Sequence, residues 1–349
     1  MEPANLAVLS GLVIGLLYGS IGLLSGFCMM SSLRGWWAEG DGRLVRTFAL
    51  AMGVGIAASQ LLAAHSAVDL GKSIYLQSSF SVPVMFFGGM LFGYGMVLSN
   101  GCGSRALVLL GKGNLRSFVV IIVLGIFAEM TLKGLIAPAR IAAVGVTQVT
   151  AKMTSLPALL SSFGLNEVYG RMFATSLVSA ALIIFALSHA PFRRSLGQIA
   201  AGIAVGLLIA AGWYATGHLG ADEFNPISVT SLTFIAPIAD SLQYVMLSTG
   251  STLNLGIASV GGVIAGSLVT ALLTGRFELE GYRSPQHMFR SASGGALMGI
   301  GGVMGFGCSI GQGLTGISTL SLASFVAVAG ILAGAALGLR GVLKVKPAG

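Results

Sequence analysis

Residues 88–102 read GGMLFGYGMVLSNGC and residues 294–308 read GGALMGIGGVMGFGC. A shift of 206 residues, the difference between 294 and 88, carries Gly88, Gly89, Gly93, Gly95, Gly101 and Cys102 onto Gly294, Gly295, Gly299, Gly301, Gly307 and Cys308. These six coincidences of glycine and cysteine in a 15-residue window, one of them between two of only three cysteines, define an internal repeat. Each copy is an apolar run rich in glycine. Such glycines let helix backbones approach closely or mark a place where a membrane helix breaks and lines a cavity.

The rest of the chain has the same character. Of 349 residues 55% are hydrophobic and 9% charged, with a mean hydropathy of +0.90, against roughly 25% charged in an average soluble domain. So few charges cannot cover a water-facing surface. The composition therefore implies an all-α polytopic membrane protein and excludes a soluble enzyme, a nucleic-acid-binding protein and a secreted disulfide scaffold. Glycine supplies 52 residues, about twice its usual share, and falls inside the apolar runs.

Nine spans are expected, at about 6–28, 44–64, 80–100, 117–137, 170–188, 196–216, 256–274, 288–307 and 322–340. Four shorter stretches, 103–112, 151–164, 231–248 and 309–320, read as re-entrant half-helices. No basic segment precedes the first apolar run, so it reads as a retained span rather than a cleaved signal. With alternate loops on opposite sides, fourteen cations from Arg34 to Lys346 share one side, and only Lys72, Arg140, Lys152 and Arg171 the other. That asymmetry places the N-terminus outside and the C-terminus in the cytoplasm.

The repeated segments are the third and eighth spans, five apart, so they are expected to run in opposite directions. A weaker correspondence carries Gly15 and Gly19 onto Gly202 and Gly206 and sets Cys28 opposite Ala215. The chain then reads as one transmembrane domain, residues 1–349, of two inverted pseudo-repeats, about 1–188 and 189–349. Inverted repeats in transporters place the substrate near the midplane at the repeat interface.

Cys102 and Cys308 each end an apolar span and open a small-residue segment. A helix start presents N–H groups and partial positive charge to an anion and favours the thiolate form of a cysteine. Gly101, Gly103, Asn100, Gly307, Ser309 and Gln312 flank the two thiols and are candidate substrate contacts. Cys28 is a third candidate, expected to matter less because it lacks a repeat mate. Glu129 and Lys133, one turn apart in the fourth span, read as a structural ion pair or as a gating element; Arg105 reads as an anion attractor or a marker of sidedness. The four histidines have no metal-ligand spacing, the three cysteines form no CxxC, and no nucleotide-binding loop is present, so neither a metal nor a cofactor is expected.

The tract from Gly294 through Gly307-Cys308-Ser309-Ile310-Gly311-Gln312-Gly313 to Ser318, with its partner Ser99-Asn100-Gly101-Cys102-Gly103, resembles the YeeE/YedE sulfur-transport family over essentially the whole chain. The resemblance implies a bacterial inner-membrane transporter of thiosulfate or a related sulfur anion. It implies that Cys102, Cys308 and Cys28 relay the ion along a central path through S–H to sulfur hydrogen bonds. It also implies a TusA-like sulfur-carrier protein as cytoplasmic partner, besides the membrane lipids. The alternatives from other classes are a membrane thiol oxidoreductase or sulfurtransferase, disfavoured by the absence of CxxC, and a sensor that binds the anion without moving it.

Overall fold

Helices in this protein meet backbone to backbone, and the glycines dictate which ones meet. The computed structural model describes residues 3–150, 153–164, 166–221, 227–282 and 284–341. Lys152, Arg283, Lys344 and Lys346, counted above for sidedness, lie outside them. In chain order the described helices are α1 (Pro3–Ser25), α2 (Met29–Arg34), α3 (Arg43–Ala64), α4 (Val82–Leu98), α5 (Gly103–Gly111), α6 (Leu115–Leu132), α7 (Ala137–Thr147) and α8 (Leu156–Ser162). They continue as α9 (Glu167–Leu187), α10 (Ala190–Arg193), α11 (Leu196–Tyr214), α12 (Ile235–Met246), α13 (Leu255–Leu273), α14 (Pro285–Met304) and α15 (Leu322–Leu339). Wider π-turns follow α2 at Gly35–Glu39, follow α11 at Ala215–Leu219, and stand alone at Gly311–Gly316. Among the described residues, strand structure amounts to one short antiparallel pair, Ser79–Phe80 with Val149–Thr150.

On α1, Gly11, Gly15 and Gly19 lie on one face, and a Cβ at each would strike the backbone of Leu255, Ser259 and Val263 in α13. Gly262 and Gly266 of α13 return the contact against Leu12 and Leu16. The opposite face of α1 presents Leu9, Val13, Leu17 and Leu24 to the surroundings, as a lipid-facing helix must. The order of contacts makes α1 and α13 parallel. By the same reading α4 runs parallel to α15, through Gly89, Gly93, Gly330 and Gly334, and α14 runs parallel to α6, through Gly295 and Gly299. Gly202 and Gly206 of α11 lie on Thr47 and Ala51 of α3, again in parallel. Helices in lipid associate through van der Waals contact and interhelical hydrogen bonds rather than a hydrophobic drive, so these close approaches, with bonds such as Ser20 Oγ to Gly266 O (3.2 Å), hold the bundle together.

The two repeated segments are α4 and α14, and they lie against each other. Gly88 meets Met304 and Gly305 while Gly95 meets Gly294 and Met298, so the pair is antiparallel. Among the described residues eight helices are long and apolar enough to cross a membrane. The expected eighth span, α14, is not among them, although its 20 residues suffice in length. Its polar start, with His287 and Arg290, lowers its hydropathy; enclosure between α4 and α6 makes an apolar surface unnecessary. Its parallel run with α6 and antiparallel run with α4 make it a ninth crossing among the described residues.

Three expectations need correction. The fourth span stops at Leu132 rather than 137, so Lys133 is the C-cap residue of α6 with 55% of its side chain exposed, and not a residue inside the helix. The stop follows from Arg140, whose guanidinium donates to the carbonyls of Thr131 (3.0 Å) and Leu132 (3.3 Å) and caps the helix. After it comes α7, a further short helix that the apolar pattern does not announce. The first span ends at Ser25, and Gly26, with φ +71°, turns the chain so that Cys28 opens α2.

Gly93→Val, which drives a side chain into the Ile331 carbonyl, is expected to lower the thermal midpoint of the detergent-solubilised protein by several degrees; overpacking of a fitted contact costs about 1–3 kcal/mol. Gly261→Ala, at a position with open space around it, is expected to leave the midpoint unchanged or raised. Equal effects from the two substitutions would show that the glycine contacts do not hold the bundle.

Candidate functional site

Two helix breaks build the site, and they are closed by the same bonds. After α4, Ser99 N–H donates to Gly95 O (3.0 Å), Asn100 N–H to Val97 O (3.3 Å) and Gly101 N–H to Met96 O (3.0 Å). After α14, Gly305 N–H donates to Gly301 O (2.8 Å), Phe306 N–H to Val303 O (3.2 Å) and Gly307 N–H to Gly302 O (2.8 Å). Every donor and acceptor of one set is 206 residues from its counterpart in the other. Asn100 and Phe306 both adopt the left-handed conformation, with φ 58° and 55°. This is the Schellman closure of a helix end, and it satisfies carbonyls that lipid cannot. Gly307, at φ +155°, needs its missing side chain, because a Cβ there would crowd Gln312.

Past each turn a cysteine starts the next segment. Cys102 is the N-cap of α5 and makes no side-chain cap bond. Ala106 N–H donates to Cys102 O (2.9 Å), and in the second copy Gln312 N–H donates to Cys308 O (2.8 Å). The Cys308 Sγ accepts from Gly311 N–H at 3.3 Å. Cys28 is likewise the N-cap of α2 without a cap bond.

All three thiols are free and fully buried, and the fold brings them together. The Cys28 and Cys102 side chains adjoin each other; Cys102 also lies against Ser309 and has its Sγ 3.2 Å from Ser104 Oγ. Cys308 sits beside the backbone of Phe234. From this cluster α5 leads towards the end of α13, where Gly111 packs on Ile264 and Leu268. The Gly311–Gly316 segment leads the other way, towards the end of α3, where Gln60 Nε2 donates to Ser318 O (2.9 Å). On that second face a cavity of about 510 Å³ opens beside Gln60, Asp69, Ser155, Arg171 and Thr319.

The other candidates separate. Gly101 and Gly103 flank Cys102 in the buried turn, and a Cβ on Gly103 would meet Leu124 and Ile238. Ser309 is wholly buried and its hydroxyl closes no hydrogen bond. Gln312 donates its Nε2 to Gly305 O (2.8 Å), which fixes the amide and leaves Oε1 without a partner. Asn100 is exposed and takes the left-handed position of the turn. Arg105 donates Nη1 to Gly22 O (3.0 Å).

Sequence reasoning missed Tyr18, Ser104, Phe27 and Phe234. The Tyr18 ring lies 5.3 Å from Phe234 and 6.5 Å from Phe27, within electrostatic reach of all three cysteines and beside Ser104. The available signal was a tyrosine between Gly15 and Gly19 in an otherwise apolar run.

Glu129 and Lys133 stand apart from this cluster. Lys133 Nζ bridges Glu129 (3.3 Å) and Asp240 of α12 (3.5 Å) and donates to Gln243 (2.9 Å). The group ties the end of α6 to α12, whose Ile238 and Leu242 pack at Gly125.

A multi-pass membrane protein whose helix breaks meet at a buried centre has the architecture of a transporter. A sequence profile of the Sulphur transport family matches residues 24–337, and the chain belongs to that family. It is 23% identical over 326 residues to the thiosulfate transporter TsuA of Escherichia coli (strain K12), covering 88% of this chain and 86% of the relative. It is 26% identical over 330 residues to the thiosulfate transporter TsuA of Spirochaeta thermophila (strain ATCC 700085 / DSM 6578 / Z-1203), covering 91% and 94%. Family and relatives point to a transporter and not to an enzyme.

Two outcomes check this geometry. A membrane-impermeant maleimide is expected to label none of the three thiols in the folded protein over a period in which all react in SDS; fast labelling of any one would show a cluster open to water. Lys133→Met, which leaves Glu129 facing Asp240, is expected to reduce stability by about 1 kcal/mol, read as a lowered thermal midpoint that Asp240→Asn partly restores.

Proposed function

We propose that this protein carries thiosulfate, or a closely related inorganic sulfur anion, across the bacterial inner membrane, with Cys28, Cys102 and Cys308 as successive contacts on a central path. The observation that carries this reading is the meeting of three thiols, each at the start of a segment, in one buried cluster between two oppositely directed breaks. The names of the two TsuA relatives supply the substrate.

The chemistry agrees. Thiosulfate is a dianion with one soft terminal sulfur and three oxygens. Moving it through hydrocarbon requires polar groups in place of its water. The first turn of α5 offers N–H groups and the positive end of a helix dipole; the one cation in that turn, Arg105, has its guanidinium engaged by Gly22 O, so most of the attraction comes from groups that do not hold the ion too firmly for release. Thiols add weak donors suited to sulfur. On the reading that the N-terminus is periplasmic and the C-terminus cytoplasmic, the 510 Å³ cavity beside Arg171 faces the periplasm, and α5 leads inward, where a TusA-like carrier would accept the sulfur. Gly101, Gly103, Gly307 and Gln312 act by shaping the breaks, and Ser309 faces the path.

Cys28 belongs to the cluster as closely as the other two, so its lack of a repeat mate gives no reason for a smaller effect. In proteoliposomes loaded with buffer and given labelled thiosulfate, Cys102→Ala, Cys308→Ala and Cys28→Ala are each expected to cut uptake at least about tenfold without loss of folded protein. Uptake that persists in all three would refute the thiol path. Stoichiometric modification of the cysteines with no flux would instead support the sulfurtransferase alternative.

A further inference from the structure

Three hydroxyl groups, from three different segments of the chain, converge on the thiols. Tyr18 comes from the middle of α1, held between Phe27 and Phe234, and is buried with its side chain beside Ser104. Ser104 comes from the first turn of α5, with its Oγ 3.2 Å from the Cys102 sulfur. Ser309 comes from the residue after Cys308 and lies against Cys102 across the cluster. The Ser309 hydroxyl is wholly buried, and apart from its contact with the weakly accepting Cys102 sulfur it has no hydrogen-bond partner. A buried hydroxyl left so poorly paired costs about 1–3 kcal/mol, which a ligand oxygen arriving at the cluster would recover.

We propose that Tyr18, Ser104 and Ser309 form a hydroxyl collar that binds the oxygen end of the anion while the thiols take its sulfur end. The proposal rests on the transport reading given above and deepens it by naming what selects the substrate. The thiols alone would accept any small sulfur anion, hydrosulfide included. The hydroxyls alone would accept sulfate. Only an ion carrying both a terminal sulfur and sulfonyl oxygens satisfies the two sets together. Neutral donors suit this task because binding must be strong enough to replace water and weak enough to let go. Tyr18 is the most exacting member: its rigid ring, fixed by two neighbouring aromatics, carries the hydroxyl into the cluster at low conformational cost.

The test is direct binding to the full-length, detergent-solubilised protein, with labelled thiosulfate as ligand and hydrosulfide or sulfate as competitor. Tyr18→Phe and Ser309→Ala each remove one oxygen and change little else. Both are expected to raise the thiosulfate Kd by about tenfold or more while leaving the concentration of hydrosulfide that gives half-competition, corrected for that Kd, unchanged. Weakening of thiosulfate and hydrosulfide by the same factor would mean that the hydroxyls only support the fold of the cluster, and would overturn the collar. An unchanged thiosulfate Kd in both variants would overturn it as well. If the unaltered chain binds thiosulfate but does not carry it into liposomes, the transport reading fails while these binding outcomes still decide the collar. If the unaltered chain binds no thiosulfate, both fall.

Discussion

A helix that breaks inside a membrane leaves carbonyl and N–H groups that hydrocarbon cannot solvate, at several kcal/mol for each unsatisfied group. The centre of this protein depends on how the breaks after α4 and α14 meet that constraint. The carbonyl side is closed within the turn itself, by the three bonds of each Schellman end. The N–H side is treated differently. At Cys102 and Cys28 no side-chain cap bond closes the new helix, and at Cys308 the sulfur accepts from Gly311 N–H. Backbone donors are therefore available where α2 and α5 start, while the backbone acceptors of the preceding turns are already closed. A site assembled from starts alone has one electrical sense, and that sense favours anions.

Holding such breaks in register requires the surrounding helices to be close, and here glycine is indispensable. Gly88 and Gly95 bring α4 onto α14, and Gly295 and Gly299 bring α14 onto α6. Had these been alanines, the Cβ atoms would overlap backbone atoms of the facing helix, the helices would separate, and the turn carrying Cys102 would part from that carrying Cys308. The glycines contribute to the chemistry by setting the distance between thiols that they do not touch.

Much of this was legible in the sequence because the repeat is written in glycine and cysteine, residues whose spacing survives when side-chain identity drifts. Asn100 and Phe306 share one backbone conformation at equivalent positions, yet nothing in an asparagine and a phenylalanine suggests equivalence; only the glycine after each reveals it. The end of the fourth span was misjudged because the apolar run continues past Leu132, whereas the stop comes from Arg140, eight residues downstream of it, folding back on the last carbonyls. That is a tertiary event invisible to hydropathy. Tyr18 was missed for a similar reason: a lone tyrosine in an apolar helix gains meaning only when the helix is placed beside three thiols contributed by other segments.

The cluster is not symmetric. Cys102 and Cys308 are repeat mates, while the position opposite Cys28 is Ala215, where α11 runs on into its π-turn without a break. If the proposed path is the one taken, an anion at the centre meets two starts, α2 and α5, on the side that leads to the end of α13, and one on the other. Such asymmetry would change the depth of the wells along that path and hence the rates of arrival and departure. It cannot create a preferred direction, because a binding site without an energy source lowers barriers for both directions alike. On the transport reading, net inward movement must come from elsewhere: from a gradient of the anion, or from chemistry that consumes its sulfur once it has crossed. A path of weak, successive contacts suits that division of labour, since it leaves the direction of flow to the concentrations on either side.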